Sequence, residues 1–230
     1  MNNNVYRINR EKCINKLKDN SIIILFAGEA KQKTGDEDYP FTPNRNFYYM
    51  TGIDEQHHIL MMSKINGEVK STLFIKDIDL ELEKWIGKSV RGDEAEEITG
   101  VEDVKFKSQF ETELHRTISM SEEINVYLDL DRNSINTQDS ISHEFAKKIV
   151  SKYPQARICN IFKYIAKLRL TKSKEEVDKI REAISITKSG IEMLMKNANI
   201  GMKEYELEAY FDFNCKIKGA KDLAFRTIAA

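Results

Sequence analysis

The run Ser21-Ile22-Ile23-Ile24-Leu25-Phe26-Ala27-Gly28 constrains the fold of this chain more than any other stretch. A strand with one wet face alternates apolar and polar residues. An unbroken β-branched apolar run suits a strand covered on both faces, inside a sheet with helices on either side. The flanking sequence supplies such elements. Before the run, "VYRINREKCINKLKDN" spaces Val5, Ile8, Cys13 and Leu17 as on an amphipathic helix. After it, Asn66-Gly67 separates two apolar-rich runs and predicts a tight hairpin. "DEAEEITG" reads as a short helix closed by Gly100, "VKFKSQF" as a strand and "ETELHRTISM" as a helix. "INVYLDLD" reads as another strand, and "ISHEFAKKIVSKY" as a helix stopped before Pro154. Strands and helices therefore alternate to about residue 160, which places the chain in the mixed α/β class.

Two stretches resist simple assignment. "YPFTPNRNFYYMTG" crowds five aromatic rings into residues 39–52, where a loop is expected to enter a strand. Phe41, Phe47, Tyr48 and Tyr49 are assigned to core packing there, on the alternation of a strand. "DIDLELEKWIGKSVRG" alternates at Ile78, Leu80 and Leu82 as a strand would, then carries the only tryptophan, Trp85. Beyond residue 171 the pattern changes. Ser173-Lys174-Glu175-Glu176 fits a capping box, with a helical stripe behind it at Val177, Ile180, Ile184, Ile191, Leu194 and Ala198. A second helix carries Leu207, Tyr210, Phe211 and Cys215, and "DLAFRTIAA" reads as the start of a strand.

Composition excludes several functions. Lys and Arg number 36 against 37 Asp and Glu, a net charge of −1, so a nucleic-acid partner is not expected. No apolar run reaches the roughly 18 residues that span a membrane, and the N-terminus has no apolar signal core. Cys13, Cys159 and Cys215 are too scattered for a disulfide framework or paired zinc ligands, and read as reduced thiols of a cytoplasmic protein. His57 and His58, adjacent in an expected strand, would face opposite ways and hold no metal.

Four motifs in order resemble the proline-specific peptidases of the aminopeptidase P and prolidase group. They are "YPFTPNRNFYYMTGIDEQ", "WIGK", "LRLTKSKEEVDKIREAISIT" and "GMKEYELEAYFDFNCKIKGAKDLAFRTIAA". The resemblance implies a creatinase-type N-terminal domain over residues 1–160, a ribonuclease H-like mixed sheet flanked by helices. Residues 161–172 would form a linker. Residues 173–230 would be the first two helices and first strand of a truncated pita-bread catalytic domain. The implied activity is release of an N-terminal residue that precedes proline, from proline-containing peptides. Alternatives are a prolidase cleaving Xaa-Pro dipeptides, or a non-catalytic pita-bread module that binds a protein partner, as in histone chaperones.

The family holds two divalent metals, usually manganese, on two aspartates, a histidine and two glutamates. All five lie downstream of the strand that begins "AFRTIAA". The 230-residue chain is therefore expected to hold no catalytic residue and no metal, and to be inactive alone. The full-length protein is expected to form a dimer or tetramer. Three positions carry substrate-facing expectations by the same resemblance. Asp36 matches an aspartate at the rim of the active site. Trp85 matches a tryptophan that, in tetramers, reaches into a neighbouring subunit's substrate groove. Arg169 matches an arginine placed between the domains. The sequence alone reads them as a solvated acid, a packing anchor and a surface ion pair. "IDEQHH" departs from the Glu-Pro that commonly follows the Thr-Gly turn.

Overall fold

Strand β1, Ser21–Phe26, is buried at every position, as the unbroken apolar run requires. In the computed structural model, which describes residues 3–225 together with 227 and 228, it lies inside a six-stranded mixed sheet. Ahead of it stands α1, Asn3–Ile14. After it come α2 (Arg45–Thr51), β2 (Ile59–Ile65), β3 (Glu68–Ile75), α3 (Leu80–Ile86), α4 (Gly92–Thr99) and β4 (Asp103–Phe106). One 3-10 turn, Lys107–Gln109, leads to α5 (Phe110–Ser119), β5 (Ile124–Leu128), α6 (Ile141–Lys152), β6 (Ala156–Asn160) and α7 (Phe162–Leu170). The strand order is β4-β3-β2-β1-β5-β6. β2 runs antiparallel to both β1 and β3, whereas the β3–β4, β1–β5 and β5–β6 pairs are parallel.

Because strand side chains alternate, β1 feeds two cores. Ile23 and Leu25 join Leu60, Met62 and Leu73 beneath Cys13 and Ile14 of α1, Phe47 and Met50 of α2 and Ile165 of α7. On the other face Ile22, Ile24 and Phe26 meet Phe110, Leu114 and Ile118 of α5 and Ile149 of α6. Each such side chain contributes about 1.5–3 kcal/mol on burial. The hairpin between β2 and β3 turns at Asn66 and Gly67, with φ of 51° and 79°, the two positive values that a type I′ turn needs.

The aromatic stretch leads from a loop into a helix, α2, and not into a strand. Asn44 caps α2, its Oδ1 accepting from the Asn46 and Phe47 amides at 2.9 and 3.0 Å. Gly52 ends it in the left-handed region at φ 75°. The buried positions, Asn46, Phe47, Met50 and Thr51, follow helical spacing. Of the rings assigned to the core, Phe47 is fully buried, Phe41 and Tyr49 pack at its margin, and Tyr48 is 36% exposed. α3 is likewise helical, since Asp79 caps it through the Glu81 and Leu82 amides. The alternation at Ile78, Leu80 and Leu82 carries no strand. His57 sits at φ 69° in a turn and His58 just precedes β2, so neither occupies a strand position.

The expected linker 161–172 is mostly α7, tied into the first core by the buried Ile165. β6, too, had no counterpart in the sequence pattern. The molecule divides into two units, Met1–Thr171 and Lys172–Ala230. In the second, α8 (Lys174–Asn197) starts at the predicted capping box. There the Ser173 amide donates to Glu176 Oε2 at 2.7 Å, and the Glu176 amide donates to Ser173 Oγ at 3.2 Å. α9 (Glu204–Ile217) packs on α8, where Gly190 admits the ring of Phe211. Ile180, Ile184 and Ile191 of the α8 stripe remain exposed. Residues 222–225, 227 and 228 form no strand, and the rest of the expected strand, Arg226, Ala229 and Ala230, lies outside the described residues. Among the described residues no helix is long and apolar enough to cross a membrane.

Candidate functional site

Polar residues gather where β1 and β5 end side by side. These strands run parallel with Ile24 opposite Leu128, so Ala27 and Asp129 emerge together at their carboxyl ends. Open α/β sheets place ligand sites at such ends. The Asn44 amide donates to the Ala27 carbonyl at 2.8 Å, anchoring the start of α2 to the end of β1. Both Asn44 Nδ2 and Asn46 Nδ2 donate to Asp129 Oδ2, at 3.0 and 2.9 Å. Arg169 Nη1 on α7 donates to Asn46 Oδ1 at 2.8 Å. Asn46 is 3% exposed, so its amide is a buried connector between the arginine and the carboxylate. Asp129 Oδ1 is buried with no hydrogen-bond partner among the described residues. Each bond in such a chain contributes about 0.5–1.5 kcal/mol net, and more where a charge takes part.

Arg169 thus lies on a helix of the first unit, half-buried and held through Asn46, not on a free linker. Trp85 lies on α3, 85% exposed, on a helix with no buried residue. Ile78, Leu80 and Ile86 are exposed beside it in sequence. A packing anchor would be covered, so the ring is available to something outside the described residues. Asp36 occupies an exposed loop, where its Oδ1 accepts from Thr34 Oγ1 at 3.2 Å. The loop is pinned by Lys33 and Thr34 amides donating to the Glu37 carbonyl, and by a bridge between Gln32 and Asp38. Asp36, Trp85 and Arg169 therefore sit on three separate segments, Asp36 in a loop closed by local bonds and Arg169 held by a bond to Asn46 123 residues away.

Sequence reasoning missed Asp129 and Asn46. The available signal was an aspartate directly after an apolar strand, in "INVYLDLD", a position that faces the end of the sheet. Among the described residues no group of three His, Cys, Asp or Glu side chains could hold a metal ion. The cysteines are free. Burial pushes the Cys13 thiol up to about 12, so it is unreactive.

Comparison with known proteins gives this arrangement a family. The model for the aminopeptidase P N-terminal domain matches residues 6–127, and that for metallopeptidase family M24, a family of hydrolases, matches 178–230. A probable Xaa-Pro aminopeptidase of Fusarium vanettenii is 31% identical over 85% of this chain and 38% of its own length. A human Xaa-Pro dipeptidase is 26% identical over 94% of the chain and 43% of its own. A solved structure assigned to aminopeptidase P from Bacillus anthracis superposes with a TM-score of 0.95 at 42% identity. It covers 99% of this chain and 54% of that one. The chain thus spans about half the length of the relatives it matches, or less. With a mixed sheet flanked by helices ahead of the opening of an M24 unit, the chain belongs to the aminopeptidase P and prolidase group of peptidases.

Proposed function

We propose that this chain is the N-terminal part of a metal-dependent Xaa-Pro aminopeptidase, whose first unit contributes substrate-binding residues rather than catalytic ones. The observation that carries the reading is Trp85, a flat ring left 85% exposed on a helix without a buried side chain. Stacking on a proline ring suits such a surface, since a proline offers an apolar face and little conformational entropy to lose. Arg169, fixed through Asn46 and Asp129, offers a charged donor for a peptide carbonyl or carboxylate. Asp36 offers an exposed carboxylate for a peptide's ammonium end.

Among the described residues no group of side chains fits a metal site, and in this reading the chain's part is to bind and orient the peptide. Two divalent metals, manganese by the resemblance, belong in this reading to residues beyond position 230. The full-length protein is read as a cytoplasmic homo-oligomer, a dimer or tetramer, and the 230-residue chain as inactive alone. A prolidase reading is kept because a human Xaa-Pro dipeptidase is similar over 94% of the chain. One experiment separates them. Full-length protein with manganese is given Gly-Pro-Gly and Gly-Pro, and products are followed by mass spectrometry. The aminopeptidase reading requires free glycine from the tripeptide. Cleavage of the dipeptide alone favours prolidase, and cleavage of neither rejects both.

A further inference from the structure

Residues 76–91 leave the end of β3 and lead into α4, and α3 with Trp85 lies within this excursion. Since no α3 side chain is buried, apolar packing does not fix where the helix sits. Polar bonds do. At one end of the excursion the Lys76 amide donates to His58 Nδ1 at 3.1 Å. At the other end the Val90 amide donates to both oxygens of Glu55, at 3.1 and 3.2 Å. His58 Nε2 and Glu55 Oε2 meet at 3.4 Å. With Nδ1 accepting from Lys76, the ring proton resides on Nε2 and is donated to Glu55. Both ends of the excursion therefore converge on one His–Glu pair, in which His58 is 1% exposed and the Glu55 side chain 39%; Val90, which donates to Glu55, is 5% exposed. Burial would raise the Glu55 carboxyl, but the bonds from His58 and Val90 outweigh it and hold it below the usual range.

A second tie lies nearer the ring. Glu83, two residues before Trp85, accepts from Arg91 Nη2 at 2.6 Å and from the Ser89 amide at 3.3 Å. This carboxylate folds the chain after α3 back onto the helix. We propose that Glu55–His58 and Glu83–Arg91 form a two-point clamp that positions Trp85 for peptide binding. The residues are positioning residues, and the proposal rests on the substrate-facing reading of Trp85. An exposed ring that must be ordered by the peptide loses affinity through that ordering. A ring held in place beforehand does not.

The chain has one tryptophan, so its fluorescence anisotropy reports α3 without a label. Glu83→Ala and Arg91→Ala should lower the anisotropy at unchanged far-UV dichroism. Arg91→Lys should restore part of the loss, and Glu81→Gln, on the exposed pair with Lys84, should change nothing. Glu55→Ala should also speed amide exchange at Val90 and Lys76 by about tenfold or more, since a bond to a charged group is lost. Should Glu55→Ala fail to fold, the Glu83 and Arg91 variants decide alone. Wild-type anisotropy in both overturns the clamp. In the full-length protein, Glu83→Ala should raise KM for Gly-Pro-Gly with little change in kcat. A loosened ring with an unmoved KM upholds the clamp and overturns the substrate reading of Trp85.

Discussion

Gly52 ends α2 where a side chain has almost no room, and replacing it with alanine is a worked test of the packing. A Cβ built there would stand 2.3 Å from Cζ of Tyr6 and 2.6 Å from its hydroxyl. Contact at that distance is repulsive, so either the ring or the turn must move. Tyr6 is 5% exposed and meets Tyr48 edge-on at 6.5 Å between centroids, which leaves it little freedom. Two costs add. The left-handed backbone at φ 75° disfavours a β-carbon by about 1–2 kcal/mol. Displacing a packed ring costs roughly 1–3 kcal/mol more. The expected loss for Gly52→Ala is therefore about 2–5 kcal/mol, read as a lower urea midpoint at constant m. A double-mutant cycle separates the terms. With Tyr6→Leu in place, Gly52→Ala should cost only the backbone part, about 1–2 kcal/mol. Equal costs in both backgrounds would refute the close approach of Tyr6 to the end of α2.

Other perturbations test other parts. Asn46→Leu should destabilise by about 2–4 kcal/mol, because it deprives Asp129 of one of its donors and removes an acceptor from Arg169; equilibrium denaturation measures it. Gly190→Ala puts a Cβ 2.6 Å from the Phe211 ring, so amide exchange along α8 and α9 should accelerate; unaltered protection would contradict the contact. Bonds from Lys147 and Arg132 hold the Asp139 carboxyl at about 2, below its unfolded value of 3.8. The folded state then binds fewer protons over that interval, so its contribution is intact above about pH 4 and lost as pH falls toward 2. Asp139→Asn should flatten the acid limb there, and NMR titration should place the carboxyl near 2.

What could be read from sequence was local or doubly constrained. Ser21–Phe26 announced itself because both of its faces are buried. Asn66-Gly67 and Ser173-Lys174-Glu175-Glu176 did so because turn and cap chemistry lies within four residues. α2 was hidden, since Phe47, Tyr48 and Tyr49 favour strands in isolation, whereas the Asn44 cap and the Gly52 stop decide the helix. α3 was hidden for a related reason: the Asp79 cap overrides an apolar alternation that meets no core. The polar cluster was the least legible part. Asn44 and Asn46 reach Asp129 across 85 and 83 residues, and Arg169 reaches Asn46 across 123. The resemblance pointed to Trp85, Asp36 and Arg169, but not to the bonds that hold them.

The most direct test of the substrate-binding role pairs two measurements on full-length wild type and Trp85→Ala: a melting curve, and kcat/KM on Gly-Pro-Gly with manganese. Because the ring is 85% exposed, its removal opens no cavity, and the melting temperature should hold. The specificity constant should fall about tenfold or more, the loss expected when an aromatic stacking partner worth roughly 0.5–1.5 kcal/mol beyond its buried area disappears along with that area. A large drop in melting temperature with an unchanged specificity constant would contradict the account and return Trp85 to a structural role.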